Sequence, residues 1–91
     1  MTDYVSQDDV NFSTWLEINM KKHNICASDV ARGIEVNRST ISLWRSEKQS
    51  PRADLVARLA TFFSAFGVES RNYLVREILF SVHVSEMRRS R

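Results

Sequence analysis

Residues 27–46 read ASDVARGIEVNRSTISLWRS, and this stretch decides the fold of the chain. Its apolar residues recur at spacings of three and four, which predicts two short helices joined by a turn around Glu35. Ala31 is the small residue that lets two such helices cross closely. The second helix is expected to begin at Asn37 or Arg38. The apolar residues that hold the pair to a core are Ile34, Val36, Ile41 and Trp44.

The chain before this stretch predicts one further helix, over residues 10–22. Phe12, Trp15 and Leu16 fall on one face of that helix and are expected in the core. Asp8 or Asp9 is a suitable cap for its first turn. Asn24 is a suitable left-handed residue after its end.

Two more helices are predicted after the stretch. Pro51, preceded by Ser50, favours a helix start, so the fourth helix should cover residues 51–66. A fifth helix should run from residue 70 to residue 85 or beyond. The predicted layout is therefore a loose arm over residues 1–9, a helical domain over residues 10–85, and a basic tail over residues 86–91.

Composition sets bounds on the class of protein. The 91 residues carry a formal net charge of +2, and 43% of them are hydrophobic, as expected for one small globular domain. The longest uncharged apolar stretch, residues 59–68, is far shorter than the ~20 residues of a membrane span. The first residues show no signal-peptide pattern, and the single cysteine allows no internal disulfide. We expect a soluble, cytoplasmic protein without a membrane partner.

With its flanks, the 27–46 stretch resembles the lambda repressor and Cro-like helix-turn-helix family of transcriptional regulators, also called the XRE family. The similarity covers roughly residues 12–66. It is carried by Phe12, Trp15 and Leu16, by Ile25, by residues 37–44 (NRSTISLW), by Ser50 and Pro51, and by residues 55–60 (LVARLA). The resemblance implies an all-α, compact five-helix DNA-binding domain of the repressor type, with the helix-turn-helix as helices 2 and 3.

The same resemblance implies which side chains meet DNA. In such proteins the N-terminal residues of the second motif helix contact base edges in the major groove. The base-reading candidates are Arg38, Ser39, Ser42 and Leu43. The candidates for phosphate contact are Asn37, Arg45, Ser46, Lys48 and Arg52. A bidentate pairing of Arg38 with guanine would give ~1–3 kcal/mol of discrimination.

The sequence departs from the family pattern at three positions. Glu35 takes the place of the usual turn glycine, where a positive φ would cost about 1 kcal/mol. Ala27 replaces the frequent glutamine at the first motif position and cannot hold a phosphate. Asn19 stands where an apolar residue is expected, which predicts a local register shift toward Ile18 or Met20.

The function implied is a sequence-specific regulator, in the manner of a phage repressor or a controller protein, that binds a near-palindromic operator as a homodimer. The expected dimer interface is Phe66, Leu74, Ile78, Leu79 and Val82. An alternative is an antitoxin-like module whose C-terminal helices bind a partner protein, and another is a monomeric peptide-binding module. No catalytic, cofactor or metal-ligating pattern is evident: His23 and His83 lack neighbouring ligands, and Cys26 is expected to be a buried or half-buried thiol.

Overall fold

The computed structural model describes residues 10–67 and 69–89, and this part of the chain is built from α-helices without a strand. The prediction of an all-α, five-helix domain is confirmed. The helices are α1 (Phe12–Lys22), α2 (Ala27–Ile34), α3 (Arg38–Arg45), α4 (Ala53–Ser64) and α5 (Arg71–Arg89). The predicted arm, residues 1–9, lies outside the described residues, as does residue 90 onward. Because α5 extends to Arg89, residues 86–89 of the predicted tail are helical.

The first three helices end in the same way, with a residue of left-handed backbone. These residues are Asn24, Glu35 and Glu47, with φ of 56°, 63° and 66°. In each case the next N–H donates to the carbonyl five residues earlier: Ile25 to Met20 at 2.8 Å, Val36 to Ala31 at 2.9 Å and Lys48 to Leu43 at 2.9 Å. This is the Schellman arrangement. The prediction for Asn24 is confirmed, and Glu35 adopts the positive φ that its place in the turn requires.

The starts of two helices differ from the prediction. Asn11 caps α1, because its side chain accepts a hydrogen bond from the Thr14 N–H at 2.9 Å. Asn11 thus holds the cap position predicted for Asp8 or Asp9, which lie outside the described residues. Helix α4 begins at Ala53 after Arg52, two residues later than expected, and ends at Ser64 rather than Phe66. Its cap residue makes no side-chain hydrogen bond to the first turn.

Aromatic side chains from three helices form the centre of the core. Phe12 stacks on Trp15, with ring centroids 5.9 Å apart, and meets the edge of Trp44 at 5.6 Å. Trp15 in turn meets Phe63 of α4 edge to face at 5.5 Å. The predicted core residues Phe12, Trp15, Leu16, Ile34, Ile41 and Trp44 are all buried, and Val36 packs against them.

Helix α5 runs antiparallel to α1 and closes the core. Near the start of α5, Glu69 pairs with Lys22 at 3.5 Å. Further along, Glu77 accepts from the Trp15 indole N–H at 3.1 Å. Near the end of α5, the Ser85 hydroxyl accepts from the Phe12 N–H at 2.9 Å. These three contacts fix the register of the two helices and satisfy a free donor at the N-terminus of α1.

Two local expectations are wrong. Asn19 is buried, and its amide donates to the Trp15 carbonyl at 2.9 Å, so α1 needs no register shift. Ile18 stays half-exposed on the outer side of the helix, whereas Met20 is buried in the core as expected. Cys26 is exposed rather than buried, because it occupies the cap position of α2, where its thiol contacts Asp29 at 3.2 Å. Within the described residues, none of the helices has the length and apolar character to cross a bilayer.

Candidate nucleic-acid interface

Helix α3 has one buried face and one exposed face. Ile41 and Trp44 are fully buried and fix the helix to α1 and α2. Arg38, Ser39 and Ser42 are exposed, and their side chains make no hydrogen bond or ion pair with the rest of the described chain. Since residues three and four apart share a helix face, these three side chains form one polar surface on the first two turns of α3. This surface is called the α3 polar face below.

Leu43, the fourth base-reading candidate, lies at the edge of the α3 polar face and is half-buried. Its backbone carbonyl is the main acceptor at the end of the helix. It receives the N–H of Lys48 at 2.9 Å and the hydroxyl of Ser46 at 3.2 Å. The Ser46 hydroxyl therefore stabilises the helix end, while its exposed oxygen can still accept a hydrogen bond. The Lys48 side chain is exposed.

Arg45, predicted as a phosphate contact, is held by a carboxylate of the same chain. Its Nε and Nη2 atoms both lie 2.6 Å from Oε2 of Glu17 on α1. Both side chains are partly exposed. The guanidinium is thus oriented at the C-terminal end of α3, and two of its five N–H donors are already engaged.

An open groove of about 760 Å³ lies between the N-terminal ends of α3 and α4. Asn37 and Arg52, which occupy the cap positions of these helices, both line it. Neither cap residue hydrogen-bonds the first turn through its side chain. Asn37 therefore has the predicted position but leaves its amide exposed. Free N–H groups and the positive end of the dipole make such helix starts suitable for phosphate.

The charge around α3 is only mildly positive. Arg38, Lys48 and Arg52 form no ion pair with other described residues. Carboxylates also lie around α3: Glu17 pairs with Arg45, and Glu35 and Glu47 occupy the two turns that flank the helix. Any anion bound here is therefore held by a few directed contacts rather than by a strong positive field.

The predicted dimer interface is wrong at two positions. Leu74 and Ile78 are 2% and 0% exposed, because they form the side of α5 that packs on the core. Val82 is half-buried against the same core. Leu79 and Phe66 are exposed, as an interface requires. Besides Leu79, α5 exposes Tyr73, Phe80 and Met87, which follow one another at intervals of seven residues and form one apolar side of the helix.

Sequence reasoning missed three residues that shape this region. Glu17 holds Arg45, Glu77 joins α5 to α1, and Arg58 donates from Nη1 to the Ile34 carbonyl at 3.0 Å at the end of α2. Each contact spans 24 or more positions of the chain. No periodicity or short motif relates residues so far apart, so no local signal was present to find them.

No cluster of three or more metal-ligating side chains is found among the described residues. His23 instead lies against Phe63 and Phe66, with ring centroids 6.4 and 6.0 Å away. Comparison of the chain with models of known protein families, with curated proteins and with solved structures found no match.

Proposed function

We propose that this chain is a sequence-specific, double-stranded DNA-binding regulator of transcription. The supporting observation is the α3 polar face: a helix anchored from behind by Ile41 and Trp44 that presents Arg38 and short hydroxyl side chains to solvent. A helix of this size fits the major groove, where arginine and hydroxyl groups can meet base edges. The proposal includes a cytoplasmic location and no catalytic activity.

Phosphate contacts would come from the groove between α3 and α4. The uncapped start of α4, with Arg52 beside it, offers N–H donors next to a cation. Lys48 and Ser46 extend this row past the end of α3. Contacts of this kind fix the register of a protein on the duplex and do not read sequence. The side chains of the α3 polar face, and Arg38 above all, would then contact the base edges and read the sequence.

We further propose that the protein acts as a homodimer, because one such helix reads only a few base pairs. The exposed side of α5, with Tyr73 and Phe80 each 48% exposed, is the candidate interface. Residues seven apart lie on nearly the same line of a helix, as the seam between two paired helices requires. A two-fold dimer would place its recognition helices ~34 Å apart on a near-palindromic operator.

Selection of bound sequences from a random duplex pool tests the proposal directly. The wild-type chain should enrich a near-palindromic sequence. Arg38→Ala should relax the preference at one base position in each half-site, and affinity for the selected sequence should fall by about 1–3 kcal/mol. Lys22→Ala, which removes an exposed cation at the end of α1, away from the α3 polar face and from the exposed side of α5, is the matched control and should change neither. A pool that shows no enrichment, or a preference unchanged by Arg38→Ala, would reject the proposal.

The second candidate function is an antitoxin-like module. The observation that favours it is the same exposed apolar side of α5, which could bind a different protein as well as a second copy. Affinity purification from the native host distinguishes the two. A stoichiometric small partner that survives high salt and is lost in Phe80→Glu would favour the module, whereas a self-associating chain that shifts duplex DNA would favour the regulator.

A further inference from the structure

A second groove, of about 470 Å³, lies between the C-terminal end of α2 and the outer side of α4. Its walls include Arg58, Thr61 and Phe62 of α4, Gly33 of α2 and Arg71 at the start of α5. None of the residues assigned above to base or phosphate contact lines this groove. It is therefore a separate surface from the α3 polar face.

Each of the two arginines in this groove donates one hydrogen bond to the chain from a single guanidinium nitrogen. Arg58 donates from Nη1 to the Ile34 carbonyl at 3.0 Å. Arg71 donates from Nε to the Thr61 hydroxyl at 2.9 Å. A guanidinium has five N–H donors, so most of the donors on both side chains remain for a ligand. Because both groups are already oriented, a bound anion would lose less of its binding energy in ordering them.

The apolar wall of the groove is the half-buried ring of Phe62. This ring lies over Gly33 so closely that a methyl group at position 33 would overlap it. The rings of Phe63 and Phe66 lie 5.2 and 5.1 Å from it and support it. Phe62 therefore offers a fixed flat surface against which a planar group can pack.

The charge of the groove limits what it can accept. Glu35, at the turn after α2, lines the groove together with the two arginines. Two guanidinium groups and one carboxylate leave a single positive charge. A ligand with one negative charge balances this net charge.

We propose that this groove binds a small aromatic carboxylate, with its carboxylate on Arg58 and Arg71 and its ring against Phe62. A carboxylate matches the forked geometry of guanidinium donors. The open volume is that of a small-molecule site. The site would take its ligand with or without DNA on α3.

Three probes that differ in ring and charge test the proposal on the full chain, by NMR titration of the backbone amides without DNA. Phenylacetate has both features of the ligand, acetate lacks the ring, and benzylammonium has the ring with the opposite charge. Phenylacetate should produce saturable shifts at Gly33, Thr61 and Phe62. Acetate should bind at least about tenfold more weakly, and benzylammonium should leave these amides unchanged.

Arg71→Gln is the informative variant, since Arg71 contacts only a surface hydroxyl, whereas Arg58 also holds the end of α2. It should weaken phenylacetate binding about tenfold, the loss expected for one charge-assisted hydrogen bond. Arg76→Gln, one turn further along α5, should bind as the wild type does, and both variants should keep the wild-type melting temperature. Shifts that do not saturate, equal binding of acetate and phenylacetate, or equal losses in the two variants would overturn the proposal.

Discussion

Arg45 of α3 and Glu17 of α1 form an ion pair in which two guanidinium nitrogens lie 2.6 Å from the same carboxylate oxygen. The pair joins the last turn of the proposed recognition helix to the first helix of the core. It also places a negative charge beside the surface that would meet DNA. In the proposed complex, a phosphate would have to compete with Glu17 for Arg45.

Removing that negative charge should strengthen DNA binding. Glu17→Gln is expected to raise affinity for the selected operator by about fivefold, since a unit charge a few ångströms away is worth about 1 kcal/mol in a high dielectric. Stability should change by less than about 1 kcal/mol, because the pair is partly exposed. Fluorescence anisotropy at fixed salt and a thermal melt measure the two effects.

Glu69→Gln is the matched control for that experiment, because it breaks the ion pair with Lys22 far from α3. Its operator affinity should equal that of the wild type. A fall in affinity in Glu17→Gln would mean that Glu17 orients Arg45 for its phosphate and does not compete with it.

Backbone strain at Glu35 should be removable. Glu35→Gly is expected to raise the free energy of unfolding by about 1 kcal/mol relative to Glu35→Ala, because φ is 63° there and only glycine adopts this value without cost. Both variants remove the same carboxylate, so their difference isolates the backbone effect. Urea denaturation gives both values. Equal stabilities for the two variants would show that the turn relaxes around a side chain without strain.

The titration of Tyr73 should report on Glu77. The Tyr73 hydroxyl donates to Glu77 at 2.9 Å, and this hydrogen bond, followed by the nearby negative charge, raises the pKa of Tyr73 above its ordinary 10.0. In a Tyr4→Phe background, which leaves Tyr73 as the one tyrosine, the midpoint of tyrosinate formation should therefore lie above the ordinary 10.0. Glu77→Gln should lower the pKa toward the ordinary value.

The sign of the matching stability change follows from proton binding. The folded chain holds the Tyr73 proton more tightly than the unfolded chain does. The stabilisation that the protonated Tyr73 gives the folded chain is therefore complete below pH 10 and is lost as pH rises through the folded pKa. A midpoint that Glu77→Gln does not move would contradict the hydrogen bond.

The exposed side of α5 should control self-association. Phe80→Glu is expected to shift the protein from dimer to monomer in analytical ultracentrifugation, because it places a charge in the middle of the proposed seam. Folding should be unaffected, since the side chain is half-exposed in the monomer. Asn72→Glu adds the same charge to the same helix outside the seam and should remain dimeric. A dimer that persists in Phe80→Glu would place the interface elsewhere.

Short-range patterns predicted most of the helices and several helix ends. The spacing of Phe12, Trp15 and Leu16 identified the buried side of α1, and that of Ile41 and Trp44 identified the buried side of α3. The left-handed Asn24 and the turn at Glu35 were also predictable. In all these cases the cause lies within about four residues of the effect, so the sequence contains it directly.

Helix α5 shows where such patterns fail. Its apolar residues occupy more than one side: Leu74 and Ile78 on one, Tyr73 and Phe80 on another. A helix of this kind has no single inner face until it meets its neighbours. Two hydrogen bonds from α1 determine which side of α5 faces the core. The Trp15 indole N–H donates to Glu77, and the Phe12 backbone N–H donates to Ser85. The expected interface was therefore wrong at its two buried members.

The sequence by itself determined the five helices, the residues that anchor α3, and the polar character of its outer surface, because periodicity and turn chemistry act over a few residues. Only the tertiary structure decided that Arg45 pairs with Glu17 and that Arg58 donates to the Ile34 carbonyl at the end of α2. It also decided which side of α5 stays exposed. Those outcomes depend on side chains that meet across distant parts of the chain, and their partners are chosen by how the helices pack.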